Sequence, residues 1–141
     1  MVRQTRSNFN VLKNVCDVQR LWKDIYGLSD LPADGSQRDR LLEAGAVISI
    51  GPTNISAMFS PGHTLALLTY VTCKQAFVHD MLMIPDAGNS RADSPSGDAC
   101  QLYSSILEIL ALSEHLCLFM GHDYCPDDRP LACAATVAEQ R

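Results

Sequence analysis

Residues 46–83, AVISIGPTNISAMFSPGHTLALLTYVTCKQAFVHDMLM, decide the fold. Val47, Ile48 and Ile50, then Ile55, Ala57 and Phe59 across a Gly51-Pro52 break, read as two short strands joined by a tight turn. Beyond Pro61-Gly62, Leu65–Thr72 and Gln75–Met83 are both rich in β-branched and aliphatic residues, with only Cys73-Lys74 between them. That pattern predicts a second hairpin.

Downstream, Asp86–Gly97 is a polar loop punctuated by Gly88, Asn89, Asp93 and Pro95. Asp98 can cap a helix whose Gln101 follows three residues later. Leu102, Ile106, Ile109 and Leu110 then line one face, which predicts a helix over about 98–112. Leu116–Met120 is a short apolar run, most simply a buried strand, and a last helix is expected after Asp127-Asp128-Arg129-Pro130. Upstream, Val11, Val15, Val18, Leu21, Trp22 and Ile25 recur at helical spacing. Gly27 stands where a left-handed residue would stop the helix, so a helix over about 11–26 is predicted. Residues 29–45 hold Pro32, Gly35 and mixed charges with little periodicity and read as an exposed connection.

With 141 residues and 47% of them hydrophobic, the chain suits one domain, 1–141, around one core. Its net charge of −5 comes with no basic run, which argues against nucleic acid as a partner. The first eight residues lead into no apolar h-region, and no window approaches the roughly 18 apolar residues that a membrane span needs. A cytoplasmic protein without a membrane partner is expected. Six cysteines without C-x-x-C spacing suggest reduced, mostly buried thiols. No Gly-rich phosphate loop and no Gly-x-Ser-x-Gly elbow occurs, which disfavours nucleophilic acyl transfer.

His63, Asp80 and His122 each fall after a predicted strand, where loops at one sheet edge can bring distant residues together. Two imidazoles and a carboxylate match what a borderline divalent metal takes, in non-haem iron(II) sites and in open zinc sites alike. A histidine after a strand is also often just a hydrogen-bonded surface or core residue, and spacing alone does not separate the two. His79, on the opposite strand face from Asp80, and His115, in a helix-to-strand turn, read as structural.

The local words narrow the choice. Ser60-Pro61-Gly62-His63-Thr64, Phe77-Val78-His79-Asp80-Met81-Leu82, Gly88-Asn89-Ser90-Arg91-Ala92-Asp93, Gly97-Asp98 with Leu102-Tyr103-Ser104-Ser105-Ile106, and Gly121-His122-Asp123-Tyr124 come in the order of one family. The sequence resembles the metallo-β-lactamase superfamily, in particular its persulfide dioxygenase and glyoxalase II branch, and most closely the bacterial beta-lactamase hydrolase-like proteins. The resemblance is strongest over 35–141.

The resemblance implies an α/β (α+β) fold, a partial αββα sandwich that is mostly its C-terminal half, with a metal in a cleft at one sheet edge. It implies His63, Asp80 and His122 as metal ligands. Asp80 matches the aspartate that binds iron in the dioxygenases and bridges two metals in the hydrolases, and His122 matches the last histidine, which holds the second metal in glyoxalase II-like enzymes and in the dioxygenases stays near the iron without binding it. Arg91 matches a residue that could pair with an anionic substrate tail, and Asp123 and Tyr124 would fix the loop that carries His122. The implied cofactor is Fe(II), or zinc in a hydrolase, and the implied substrate a small thiol or persulfide such as glutathione persulfide.

The departures are as informative. The family's H-x-H-x-D-H motif lies upstream of this region, yet all four histidines here stand at position 63 or later. His79 replaces a usual glycine and Met81 a usual hydroxyl residue. Three readings follow: an iron-dependent persulfide dioxygenase relative with impaired activity, a zinc-dependent glyoxalase II-like hydrolase, and a catalytically silent binding or oligomerising module. An incomplete sandwich would leave an apolar sheet face, with Val47, Phe59, Leu67 and Phe77, open to a homo-oligomeric partner.

Overall fold

The computed structural model describes residues 10–125 and 129–141. Its elements run β1 (Asn10–Leu12), α1 (Val15–Tyr26), β2 (Arg40–Leu42), β3 (Val47–Ile50), β4 (Thr53–Phe59), β5 (Leu68–Val71), β6 (Gln75–His79), α2 (Ala99–Leu110), β7 (Cys117–Met120), β8 (Ala134–Thr136) and α3 (Val137–Gln140).

The main layer is a six-stranded sheet in the order β3-β4-β5-β6-β7-β8. Consecutive strands from β3 to β6 pair antiparallel, as two hairpins must. β6 and β7 pair parallel, because α2 carries the chain back across the sheet between them. Alternation then sorts the side chains. Ala76 and Val78 of β6 and Leu118 of β7 are fully buried and pack with Leu102 and Ile109 of α2 and Val137 of α3. On the other face Phe77 and Phe119 stack with ring centroids 5.3 Å apart.

A second, two-stranded parallel sheet, β1-β2, covers part of that other face. Leu12 and Leu42, 3% and 1% exposed, pack there with Ala57 and Leu68. This corrects two expectations. Val11 lies in β1 rather than in the first helix, and the stretch 29–45 contains β2, whose Leu42 is core. A three-residue strand shows no alternation long enough to read, and its pairing partner lies 30 residues away.

α1 is strongly amphipathic, but among its residues only Cys16 is buried. Gly27 ends it with φ +63 and ψ 32, as its position predicts, and Leu28 donates its amide to Lys23. Asp98 caps α2 by accepting from the Gln101 amide at 2.9 Å. The expected long final helix is instead β8 followed by α3, a single turn closed by a capping box between Thr136 and Glu139. β8 wins because Ala135 and Thr136 pair with Leu118 and Cys117.

All six cysteines are free thiols, but only Cys16 is buried, and Cys73, Cys100 and Cys133 are exposed, so the expectation of mostly buried thiols fails. Phe77, 41% exposed, lies on the sheet face away from α2, whereas Val47, 51% exposed, falls on the α2 face through its register with Ser56 and Val71, so the expected single apolar face carrying both is corrected. Phe59 and Leu67 are not part of an open face. Phe59 packs against the Leu12–Leu42 cluster and Leu67 against the α2 cluster. No helix among the described residues is long and apolar enough to cross a membrane.

Candidate functional site

The site is built at the edge where β4, β6 and β7 end. After Phe59 the chain turns through Ser60-Pro61-Gly62, and three hydrogen bonds fix that turn. The Ser60 hydroxyl donates to Thr69 Oγ1 at 2.7 Å, and the Ser105 hydroxyl of α2 donates to the Pro61 carbonyl at 2.7 Å. The Asp98 amide donates to the Gly62 carbonyl at 2.8 Å. Gly62 has φ +133 and lies so close to α2 that a Cβ there would stand 2.2 Å from the Leu102 N and Cα atoms. A glycine is required at this point, where backbone meets backbone.

His63 follows, and the loop after β6 grips it twice. Ser94 donates its hydroxyl to the His63 carbonyl at 2.6 Å, and the imidazole Nδ1 stands 2.8 Å from the Arg91 carbonyl. A carbonyl can only accept, so Nδ1 carries the proton and Nε2 of the neutral ring keeps its lone pair.

Asp80 leaves β6 at an irregularity. The register between β6 and β7 shifts between Phe77 and His79, and His79 adopts φ +51. Such a bulge re-aims the residue that follows it. The Gly121 amide donates to the His79 carbonyl at 2.9 Å, and a Cβ on Gly121 would sit 2.7 Å from Asp80 Oδ1. Gly121 therefore gives the carboxylate its room. His122 comes next and its Nε2 stands 3.0 Å from that same Oδ1.

Asp123 anchors the loop that carries His122. Its side chain is 5% exposed and accepts from both terminal nitrogens of Arg129, at 2.5 and 2.7 Å, and from the Ala132 amide at 2.7 Å. The Arg129 guanidinium and these amides hold the Asp123 carboxyl far below the usual carboxylate range, and Asp123 and Asp86 together raise Arg129. Tyr124 is exposed, with its ring centroid 6.0 Å from that of His122.

His63, Asp80, His122, Arg91 and Tyr124 thus line one cavity of about 230 Å³, with Asn89 and Ser90 among its other walls. Ser90 is 8% exposed, and its buried hydroxyl has no hydrogen-bond partner among the described residues. Arg91 is spoken for: its guanidinium pairs with the Asp93 carboxylate at 2.6 and 3.2 Å and draws that carboxyl below its ordinary value. A larger cavity of about 670 Å³ lies between β4 and α2, away from these residues.

Two imidazoles and a carboxylate suit a divalent metal in their chemistry. Their spacing does not. Among the described residues no three His, Cys, Asp or Glu side chains stand close enough to share one ion, and His122 is engaged with Asp80 while His63 stands apart from the pair. His79, exposed and edge-on to Tyr70, and His115, exposed beside Glu114, do not line this cavity.

The chain has relatives of known name. It is 52% identical over 126 residues to a beta-lactamase hydrolase-like protein of Agrobacterium fabrum, covering 89% of this chain and 29% of that protein. The crystal structure of ETHE1 from Myxococcus xanthus superposes with a TM-score of 0.64 over 93% of this chain and 70% of that one, at 21% identity. The chain shares the metallo-β-lactamase fold with that structure, and its curated relatives are beta-lactamase hydrolase-like proteins. Human persulfide dioxygenase ETHE1 is a more distant relative, 36% identical over 93 residues that cover 64% of this chain and 36% of that protein. No family model matches. The chain spans about 30% of the length of the first curated relatives it matches. Its six-stranded sheet with α2 and α3 on one face, and the small β1-β2 layer on the other, is its part of the metallo-β-lactamase fold.

Sequence reasoning missed Gly62 and Gly121 as space-makers, Ser94 and Ser105 as anchors, and Arg129. Each acts across at least 31 residues except Arg129 on Asp123, and that contact fell in a segment read as a helix start.

Proposed function

We propose that this chain is part of a persulfide dioxygenase-like metalloprotein, contributing His63, Asp80 and His122 to a centre for Fe(II) and taking a small thiol or persulfide, such as glutathione persulfide, as substrate. The observation that carries the reading is the single cavity lined by those three residues and Arg91. The relationship to a named persulfide dioxygenase supports it. Fe(II) would supply the redox chemistry, and it commonly takes two histidines and one carboxylate.

The chain's own residues have plainer tasks. The Arg91 carbonyl sets the His63 tautomer and leaves Nε2 available. Gly121 leaves space for the Asp80 carboxylate. Arg91 offers charge to an anionic substrate tail once Asp93 exchanges places with it. Asp123 holds the His122 loop. Because His122 shares Asp80 Oδ1, a third donor becomes available only when that contact gives way, and metal affinity about 10–100-fold below that of an intact site is expected. The Asp80–His122 contact also favours a second reading, a zinc-dependent glyoxalase II-like hydrolase, in which an aspartate beside the last histidine serves the second metal. A cytoplasmic, reducing setting suits six free thiols.

Metal analysis of purified protein, followed by oxygen consumption with glutathione persulfide, tests the proposal. The expected result is weakly held iron that His63→Ala and Asp80→Ala abolish and His115→Ala leaves intact. Zinc with thioester hydrolysis would select the hydrolase. No metal and no turnover would leave only the silent module.

A further inference from the structure

We infer that Arg129 is a positioning residue that ties the two loops walling the cavity together and thereby sets His122 against Asp80, an inference that rests on the cavity being the functional site. The loop after β6 supplies Met83, Ala87, Asn89, Ser90 and Arg91 to the wall, and the loop after β7 supplies His122 and Tyr124. These loops are 43 residues apart where Arg129 joins them. Its Nε and one terminal nitrogen bind the two oxygens of Asp86, the latter bond at 2.9 Å, so the contact is bidentate. The terminal nitrogens reach Asp123 at 2.5 and 2.7 Å on the other side. One guanidinium thus spends its planar fork on two carboxylates, one from each loop, and its side chain is only 23% exposed.

Asp123 passes the constraint on. It is the residue after His122, and it also accepts from the Cys125 and Ala132 amides at 3.1 and 2.7 Å. Gly121, on the other side of His122, is fixed to β6 through the His79 carbonyl. His122 is therefore held between a sheet hydrogen bond and an ion pair. Without Arg129 the second anchor goes, because Asp123 keeps only the Cys125 and Ala132 amides and the Cys125 thiol within its own loop, and among the described residues no other hydrogen bond or ion pair joins that loop to Asp86. Lysine carries the charge but lacks the fork, so it can satisfy one carboxylate and not both geometries at once.

The test uses the whole chain labelled at histidine ring carbons, with the four signals assigned by single substitution. Arg129→Met should shift and broaden the His122 ring signal and leave His115 unmoved. It should also speed hydrogen exchange at the Cys125 and Ala132 amides about tenfold. Arg129→Lys should restore part of both effects, a graded rescue that a role in bulk stability alone would not give. Asp86→Asn removes the charge and one of the two acceptors of the link between loops while keeping the Arg129–Asp123 pair, and it should move His122 in the same direction. That variant carries the test if Arg129→Met does not fold. An unmoved His122 signal in a folded Arg129→Met or Asp86→Asn protein would overturn the inference. Titration with Zn²⁺ separates this from the functional proposal: a wild type that binds no Zn²⁺, with the ring shifts present in Arg129→Met, defeats only the metal reading, whereas Zn²⁺ binding equal in wild type and Arg129→Met defeats the positioning role.

Discussion

Gly62→Ala is the substitution whose cost can be worked most directly from the structure. A methyl at Gly62 would meet the Leu102 N and Cα atoms at 2.2 Å and the Leu102 Cβ at 2.6 Å. Reaching an ordinary contact of 3.4 Å requires a shift of about 1.2 Å between the Pro61-Gly62-His63 turn and the first turn of α2. Neither backbone is free to give. Ser105 holds Pro61, the Asp98 amide holds Gly62, and Leu102 sits in the main core. Overpacking of this kind costs about 1–3 kcal/mol, and a non-glycine residue at strongly positive φ costs about 1–3 kcal/mol more. The sum centres on about 4 kcal/mol, a large share of the roughly 5–15 kcal/mol that holds a domain together. At about 3 °C per kcal/mol, the thermal midpoint should fall by about 12 °C. Gly27→Ala supplies the comparison, since Gly27 also has positive φ but nothing lies within 4 Å of a Cβ there. It should cost only about 1 kcal/mol. Thermal melts followed by circular dichroism measure both. A Gly62→Ala protein that melts within 2–3 °C of Gly27→Ala, the spread expected for less than about 1 kcal/mol, would refute the close-approach argument and with it the account of how His63 is placed.

Ser105→Ala removes the 2.7 Å donor of the half-buried Pro61 carbonyl and should cost about 1 kcal/mol in urea unfolding. The Thr136 amide and hydroxyl hold the Glu139 carboxyl below its ordinary value. Its contribution is therefore present above the unfolded-state pKa and lost as pH falls through the lower folded value, so wild-type melting temperature should drop more between about pH 5 and 3 than that of Glu139→Gln. The open face around Phe77 and Phe119 should give concentration-dependent association and dye binding, both reduced by Phe77→Glu. A wild-type monomer across the sedimentation range that binds no dye would contradict that expectation.

Local chemistry was legible in the sequence wherever a pattern was long enough to repeat or a cap was close at hand. The hairpins β3-β4 and β5-β6, the Asp98 cap of α2 and the Gly27 stop of α1 all followed from neighbours within a few residues. The reading that puts His63, Asp80 and His122 after strands at one sheet edge agrees with their lining one cavity. Periodicity failed where a strand is only three residues long: β1, β2 and β8 exist because Leu12, Leu42 and Ala135 find partners across the fold, and no local preference announces them. Only the tertiary structure decided how the site residues meet. Sequence order says nothing of the 3.0 Å contact that gives His122 to Asp80, of the Arg91 carbonyl that fixes His63, or of Arg129 reaching back 43 residues to Asp86. Hydrogen-bond geometry depends on tenths of an ångström between atoms whose positions are set by the packing of the whole sheet edge, and a one-dimensional pattern holds no record of those distances.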